Sequence, residues 1–151
     1  MSQETLRIGI IGCGGIANGK HMPSLAKLPQ VEMVAFCDIV EERAVKAASE
    51  YGTKDAKTYV DYRELLDDDS IDVVHVCTPN SSHAEITVAA LEADKHVMCE
   101  KPMAKTAAEA RLMVETAEKT GKKLTIGYQN RFRNDSQYLY EACRRGELGE
   151  L

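Results

Sequence analysis

Apolar positions in this chain fall into short blocks, with longer amphipathic stretches between them. Ile8, Ile10 and Ile11 open the series. The blocks Val31–Cys37, Val73–Cys77, His96–Cys99 and Lys123–Gly127 continue it, with a brief strand around Lys57–Tyr59. Apolar runs of this kind suit strands buried on both faces, a property of parallel sheets. The stretches between them carry helix signals. The first runs from Gly15 to Leu28, with Pro23 interrupting it. Glu41–Tyr51 puts Ala44, Val45, Ala47 and Ala48 on an apolar face, and Gly52 ends it. Asp61 caps a short helix Tyr62–Asp67, Ser81 or Ser82 caps His83–Ala93, and Thr106 caps Ala107–Thr120, closed by Gly121. Beyond a polar segment, Gln129–Arg133, a last helix covers Asp135–Arg145. Strands and helices alternating at these spacings predict right-handed crossovers, and hence an α/β fold with a doubly wound parallel sheet.

The first strand ends at Gly12-Cys13-Gly14-Gly15-Ile16-Ala17, which fits G-x-G-x-x-G/A. Gly12 permits the tight turn, Gly14 lets a pyrophosphate approach the backbone, and Ala17 lets the next helix pack near the sheet. The helix start offers free N–H groups and a positive dipole end to an anion. The second apolar block ends in Asp38, 24 residues past Gly14. That is close to the separation at which an acid meets the adenosine ribose hydroxyls of a dinucleotide. A carboxylate there repels a 2′-phosphate, which favours NAD over NADP, and the nearby Arg43 softens that preference. Ligands of such sheets bind beyond the carboxyl ends of the strands. Here those ends are Gly12–Ala17, Asp38, Thr78–Asn80, Glu100–Pro102 and Gly127–Arg131.

Length and charge narrow the partners. The 151 residues suit one domain, and the formal charge of −5 provides no basic field for nucleic acid or anionic lipid. The clusters Glu41-Glu42 and Asp67-Asp68-Asp69 read as solvated surface. Five cysteines, Cys13, Cys37, Cys77, Cys99 and Cys143, are an odd number without C-x-x-C spacing, and four of them lie in or beside apolar runs. They read as reduced, mostly buried thiols of a cytoplasmic protein, not as disulfides or a metal site. The start, Met1-Ser2-Gln3-Glu4, lacks the basic-then-apolar pattern of a secretory signal, and no apolar stretch is long enough to span a membrane.

Taken together, Gly12–Ala17, Asp38, Thr78-Pro79-Asn80 with His83, Glu100-Lys101-Pro102 and Gly127–Phe132 resemble one family. It is the N-terminal Rossmann domain of the glucose-fructose oxidoreductase / inositol dehydrogenase / MocA family of NAD(P)-dependent oxidoreductases. The resemblance implies cofactor binding by Gly12, Gly14, Gly15, Ile16, Asp38 and Arg43, with Thr78, Pro79, Asn80 and His83 lining the ribose and pyrophosphate. It implies that Glu100 holds the nicotinamide ribose, that Lys101 touches the cofactor and faces the substrate as the catalytic residue, and that Asn130 or Arg131 borders both. It also implies a Lys101–Pro102 bond that is often cis. Family members carry a second, substrate-binding domain that has no counterpart before Leu151. The expectation is therefore a dinucleotide-binding unit over 1–127 and a connecting segment over 128–151, from a truncated gene product or isolated domain. Such a fragment binds cofactor, turns over little, and self-associates as a homo-oligomer through bared apolar surface.

Lys101 makes chemical sense on its own. Oxidising a secondary alcohol of a sugar, inositol or similar polyol sends a hydride to nicotinamide while the hydroxyl loses its proton. An ammonium beside that oxygen stabilises the developing alkoxide. His83, at a helix start, either packs or touches the cofactor. His75 reads as a core histidine, and His21 and His96 lack a second metal-type ligand at useful spacing. Met98 and Met103 pack, and Tyr138 and Tyr140 face different directions. Two other readings are a non-catalytic nucleotide-binding or interaction module and an S-adenosylmethionine-dependent methyltransferase. The latter usually has an acid just before the glycines, where this chain has Ile10-Ile11.

Overall fold

A computed structural model describes residues 5–150, so the Met1–Glu4 start on which the signal reading rests lies outside the described residues. Six parallel strands form one sheet in the order β3-β2-β1-β4-β5-β6. They are β1 (Leu6–Ile11), β2 (Val31–Cys37), β3 (Lys57–Tyr59), β4 (Val73–Val76), β5 (His96–Cys99) and β6 (Leu124–Ile126). The order reverses direction between β1 and β4. The doubly wound parallel sheet read from the sequence is thus the one observed.

Each face of the sheet has its own core. On one, Ile8, Ile10, Met33 and Phe36 meet Met22 and Leu25 of helix α1 (Met22–Leu25) and Ala44 and Ala47 of α2 (Glu41–Tyr51). On the other, Val34, Val74, Val76 and Val97 meet Leu65 and Leu66 of α3 (Tyr62–Leu66), Ile86, Ala90 and Leu91 of α4 (His83–Glu92) and Met113 of α5 (Ala107–Thr120). A central strand with apolar residues on both sides satisfies both cores at once, so β1, β2 and β4 read as mostly apolar runs. A final helix, α6 (Asn134–Arg144), buries only Ala142 among its residues.

Helix ends follow their sequence signals in two cases. The Asp61 side chain accepts the Arg63 N–H at α3, and Thr106 with Glu109 forms a reciprocal capping box at α5, which Gly121 closes at φ 69°. Three local expectations are corrected. Val45 points away from the α2 core and is exposed, because two alanines suffice against β2. Ser82 stands at the start of α4 but does not cap it: its hydroxyl turns back to Thr78 Oγ1 and the Pro79 carbonyl, both at 2.9 Å. Asp68 is not a solvated charge, since it binds Lys57 Nζ at 2.8 Å and the Ser70 hydroxyl at 2.6 Å. Those partners, the lysine foremost, hold its carboxyl well below the usual carboxylate range.

The first helix departs most from expectation. Pro23 does not interrupt it. Instead Ala17–His21 winds as a π-helix that continues into α1, which ends at Leu25, not Leu28. Proline lacks an N–H and crowds the carbonyl one turn back, and the wider turn relieves both problems without breaking the helix.

Candidate functional site

At the carboxyl ends of β1, β2 and β4 the chain leaves the sheet in turns that face one another across a cleft of about 590 Å³. This is the usual place and size for a ligand of a doubly wound fold. Seven residues singled out from the sequence line it: Gly12, Gly14, Gly15, Asp38, Arg43, Thr78 and Pro79.

Gly12 has φ +92°, and a Cβ there would lie 2.8 Å from the Cys77 carbonyl carbon and from the Thr78 nitrogen. Only glycine fits, both by conformation and by space. At Gly14 and Gly15 an added Cβ would meet nothing within 4 Å. These two glycines therefore leave the backbone bare toward the cleft, as a cradle for a ligand. Asn18 pins the turn from below, its amide donating to the Cys13 carbonyl at 2.6 Å and the Gly14 carbonyl at 2.9 Å. The sequence reading missed Asn18. Its position in the first turn of the helix was the available signal, because short amides there bond back to the backbone.

Asp38 is buried beside this turn. Its Oδ2 accepts the Cys13 N–H and its Oδ1 the Val40 N–H, both at 2.9 Å, and the Arg43 guanidinium stands 3.9 Å away over the same carboxylate. Ile16 is partly exposed at the helix start, and Asn80 is exposed in the turn after β4. Around the turn, burial foremost and the Asp38 charge next push both the Cys13 and Cys37 thiols up to about 12. They are packing residues, not nucleophiles.

His83 does not reach the cleft. It is almost fully buried, with Nδ1 at 2.7 Å from the Pro102 carbonyl and Nε2 at 2.9 Å from the Thr78 carbonyl. The ring thus stands between two backbone carbonyls, one on each of two loops, and clamps those loops together. Glu100 lies apart from that cleft. It is buried on the α1 side of the sheet, with Oε1 2.8 Å from His21 Nε2 and Oε2 accepting the Lys101 N–H at 3.0 Å.

Glu100 lines a second cavity of about 300 Å³ with His21, His75 and Gln129, apart from the main cleft. His75 is indeed buried inside a strand, where burial first and the His21 charge second push its pKa down to about 4. His96 Nδ1 accepts the Lys123 N–H at 3.0 Å, a contact between the start of β5 and the residue before β6. Lys101 is exposed just past β5, and its bond to Pro102 is cis. Asn130 and Arg131 lie exposed in a 3-10 turn, Gln129–Phe132, after β6. Among the described residues, no helix is long and apolar enough to cross a membrane.

Known proteins agree with this geometry. A family model described as "Oxidoreductase family, NAD-binding Rossmann fold" matches residues 6–128. The chain is 42% identical, over its whole length, to D-glucoside 3-dehydrogenase of Escherichia coli, and 40% identical, over 97% of it, to inositol 2-dehydrogenase of Salmonella typhimurium. It covers 42% and 44% of those proteins. The crystal structure of the WlbA dehydrogenase from Bordetella pertussis, in complex with NADH and UDP-GlcNAcA, superposes with a TM-score of 0.89 at 26% identity. That match covers 99% of this chain and 42% of WlbA. The chain thus spans less than half the length of these relatives, and the methyltransferase alternative finds no support. By its family match, its sheet order and its glycine turn, the chain belongs to the Gfo/Idh/MocA oxidoreductases and carries their NAD-binding Rossmann fold.

Proposed function

We propose that this chain binds NAD in the cleft over the first glycine turn and serves as the cofactor half of a dehydrogenase acting on a sugar, inositol or similar small polyol. The observation that carries the reading is the convergence on one cleft of a Cβ-free backbone at Gly14 and Gly15 with the buried Asp38 carboxylate. Gly12, Gly14, Gly15 and the Ile16 N–H face the pyrophosphate, Asp38 takes the adenosine ribose hydroxyls, and Thr78, Pro79 and Asn80 flank the remainder. Arg43 beside Asp38 makes NADP a weaker second cofactor. The relatives named above, which act on inositol and glucosides by their names, support the substrate class.

When bound, the nicotinamide supplies the hydride acceptor. Lys101 then steadies the alkoxide that develops as the substrate hydroxyl loses its proton. Arg131 and Asn130 border the substrate side, Glu100 faces the nicotinamide ribose beside the Lys101 N–H that it holds, and His83 ties the Thr78 and Pro102 loops together. Residues 1–127 form the dinucleotide unit and 128–151 the connection toward a substrate domain of the kind that the longer relatives have room for. Exposed Phe132, Tyr138 and Leu139 support a covered, self-associating surface there, as a homo-oligomer. Four buried thiols support a reducing, cytoplasmic setting.

Calorimetric titration of the chain with NAD, NADP and S-adenosylmethionine tests this. Binding of NAD ahead of NADP, with no heat from S-adenosylmethionine, is expected. A chain that binds neither dinucleotide overturns the reading.

A further inference from the structure

The π-helix before Pro23 has a consequence for the face of the sheet that it covers. It turns His21 inward and leaves Gly19 and Lys20 in solvent. The buried His21 ring lies with Nε2 at 2.8 Å from Oε1 of Glu100 and Nδ1 at 3.2 Å from Nδ1 of His75. The two imidazoles meet edge to face at 89°. A carboxylate only accepts, so Nε2 of His21 carries the proton in the first contact. One further proton lies between the two Nδ1 atoms.

Glu100 is therefore held from two sides, by a ring on the first helix and by the N–H of the residue that follows it, Lys101, at 3.0 Å. Removing His21 leaves a buried carboxylate short of its charge-assisted donor, beside a cavity of about 300 Å³ into which it can turn. The peptide that it orients is the one from which Lys101 projects.

We propose that His21 is a positioning residue for Lys101, acting through Glu100, with His75 fixing the tautomer of the His21 ring. The inference deepens the reading given above for Lys101 and rests on it. It also explains why the first helix tolerates Pro23: the wider turn that relieves the proline is what brings His21 to the sheet.

The test uses this chain with His21→Ala, His21→Gln and Glu100→Gln. Glutamine carries an amide that can donate to Glu100 from about the place of Nε2. The readouts are the Lys101 backbone amide signal by NMR and affinity for NADH and for 5′-AMP, which reports on the adenosine half alone. In His21→Ala the Lys101 signal shifts and NADH affinity falls about tenfold, while 5′-AMP affinity stays within about twofold. Glu100→Gln behaves alike, and His21→Gln restores the Lys101 signal and most of the affinity. A His21→Ala chain with wild-type signal and affinity overturns the inference, as does a glutamine that restores nothing or a parallel loss of 5′-AMP binding. If His21→Ala does not fold, the ¹⁵N spectrum of the wild-type histidines decides, since an unprotonated Nε2 on His21 refutes the arrangement. Failure of the wild-type chain to bind NADH would sink the function proposed above, and the tautomer and the Lys101 signal would still judge His21.

Discussion

Asp38 and Cys13 are bonded across the end of the sheet: the carboxylate that closes β2 accepts, at 2.9 Å, the N–H of the residue inside the turn that closes β1. The acid proposed to read the ribose also holds the turn proposed to cradle the pyrophosphate. One residue thus couples the shape of the site to its chemistry. Asp38→Ala should lower unfolding free energy by about 2 kcal/mol, because the buried Cys13 N–H and the partly buried Val40 N–H lose their acceptor. It should also weaken NAD binding by more than about tenfold. Urea unfolding and calorimetry on the same variant check both, and a loss of affinity with unchanged stability would uncouple the roles.

Gly12 and Gly14 of the turn should separate cleanly. Gly12→Ala forces a Cβ against backbone on two sides at a positive φ, where nothing can give way. A loss of more than about 3 kcal/mol or outright misfolding is expected. Gly14→Ala meets open space, so stability should stay within about 0.5 kcal/mol while NAD affinity collapses. Thermal melts with and without NAD distinguish the two outcomes.

His75 gives stability a pH dependence. Its pKa falls to about 4 in the folded chain from an ordinary 6.5, because burial disfavours the charged ring. The unfolded chain therefore takes up the proton first. The stabilisation is complete above about pH 6.5 and is lost as pH falls toward about 4. By pH 5 the loss is about 2 kcal/mol. Asp68, held low by Lys57 and Ser70, contributes only at more acidic pH. Urea midpoints measured at about pH 7.5 and about pH 5 should differ for the wild type and much less for His75→Gln.

Thiol reactivity reports the packing at the site. Cys13, Cys37, Cys77 and Cys99 are buried, with thiols raised by burial, and Cys143 on α6 is half-buried. A disulfide reagent at neutral pH should label Cys143 quickly and the other four only in denaturant. Rapid labelling of Cys13 in the folded chain would mean that the glycine turn opens freely.

Local signals in the sequence specified a good deal. The apolar runs Val31–Cys37 and His96–Cys99 match strands residue for residue, as does the helix Ala107–Thr120 between Thr106 and Gly121. In each, the deciding physics acts between neighbours in the chain: side-chain burial on both faces, a cap, a left-handed glycine. Gly12 and Asp38 were legible for a related reason, since a turn and a strand end have fixed distances along the backbone. What only the tertiary structure decided is which polar side chains meet. His83 bridges Thr78 and Pro102, and Glu100 turns to His21, 79 residues away. The wider winding at Ala17–His21 is equally hidden, because a proline in a helix pattern reads as a break. Buried polar groups must find partners wherever the packed sheet brings them, and their choice depends on strand order and helix pitch, not on spacing along the chain.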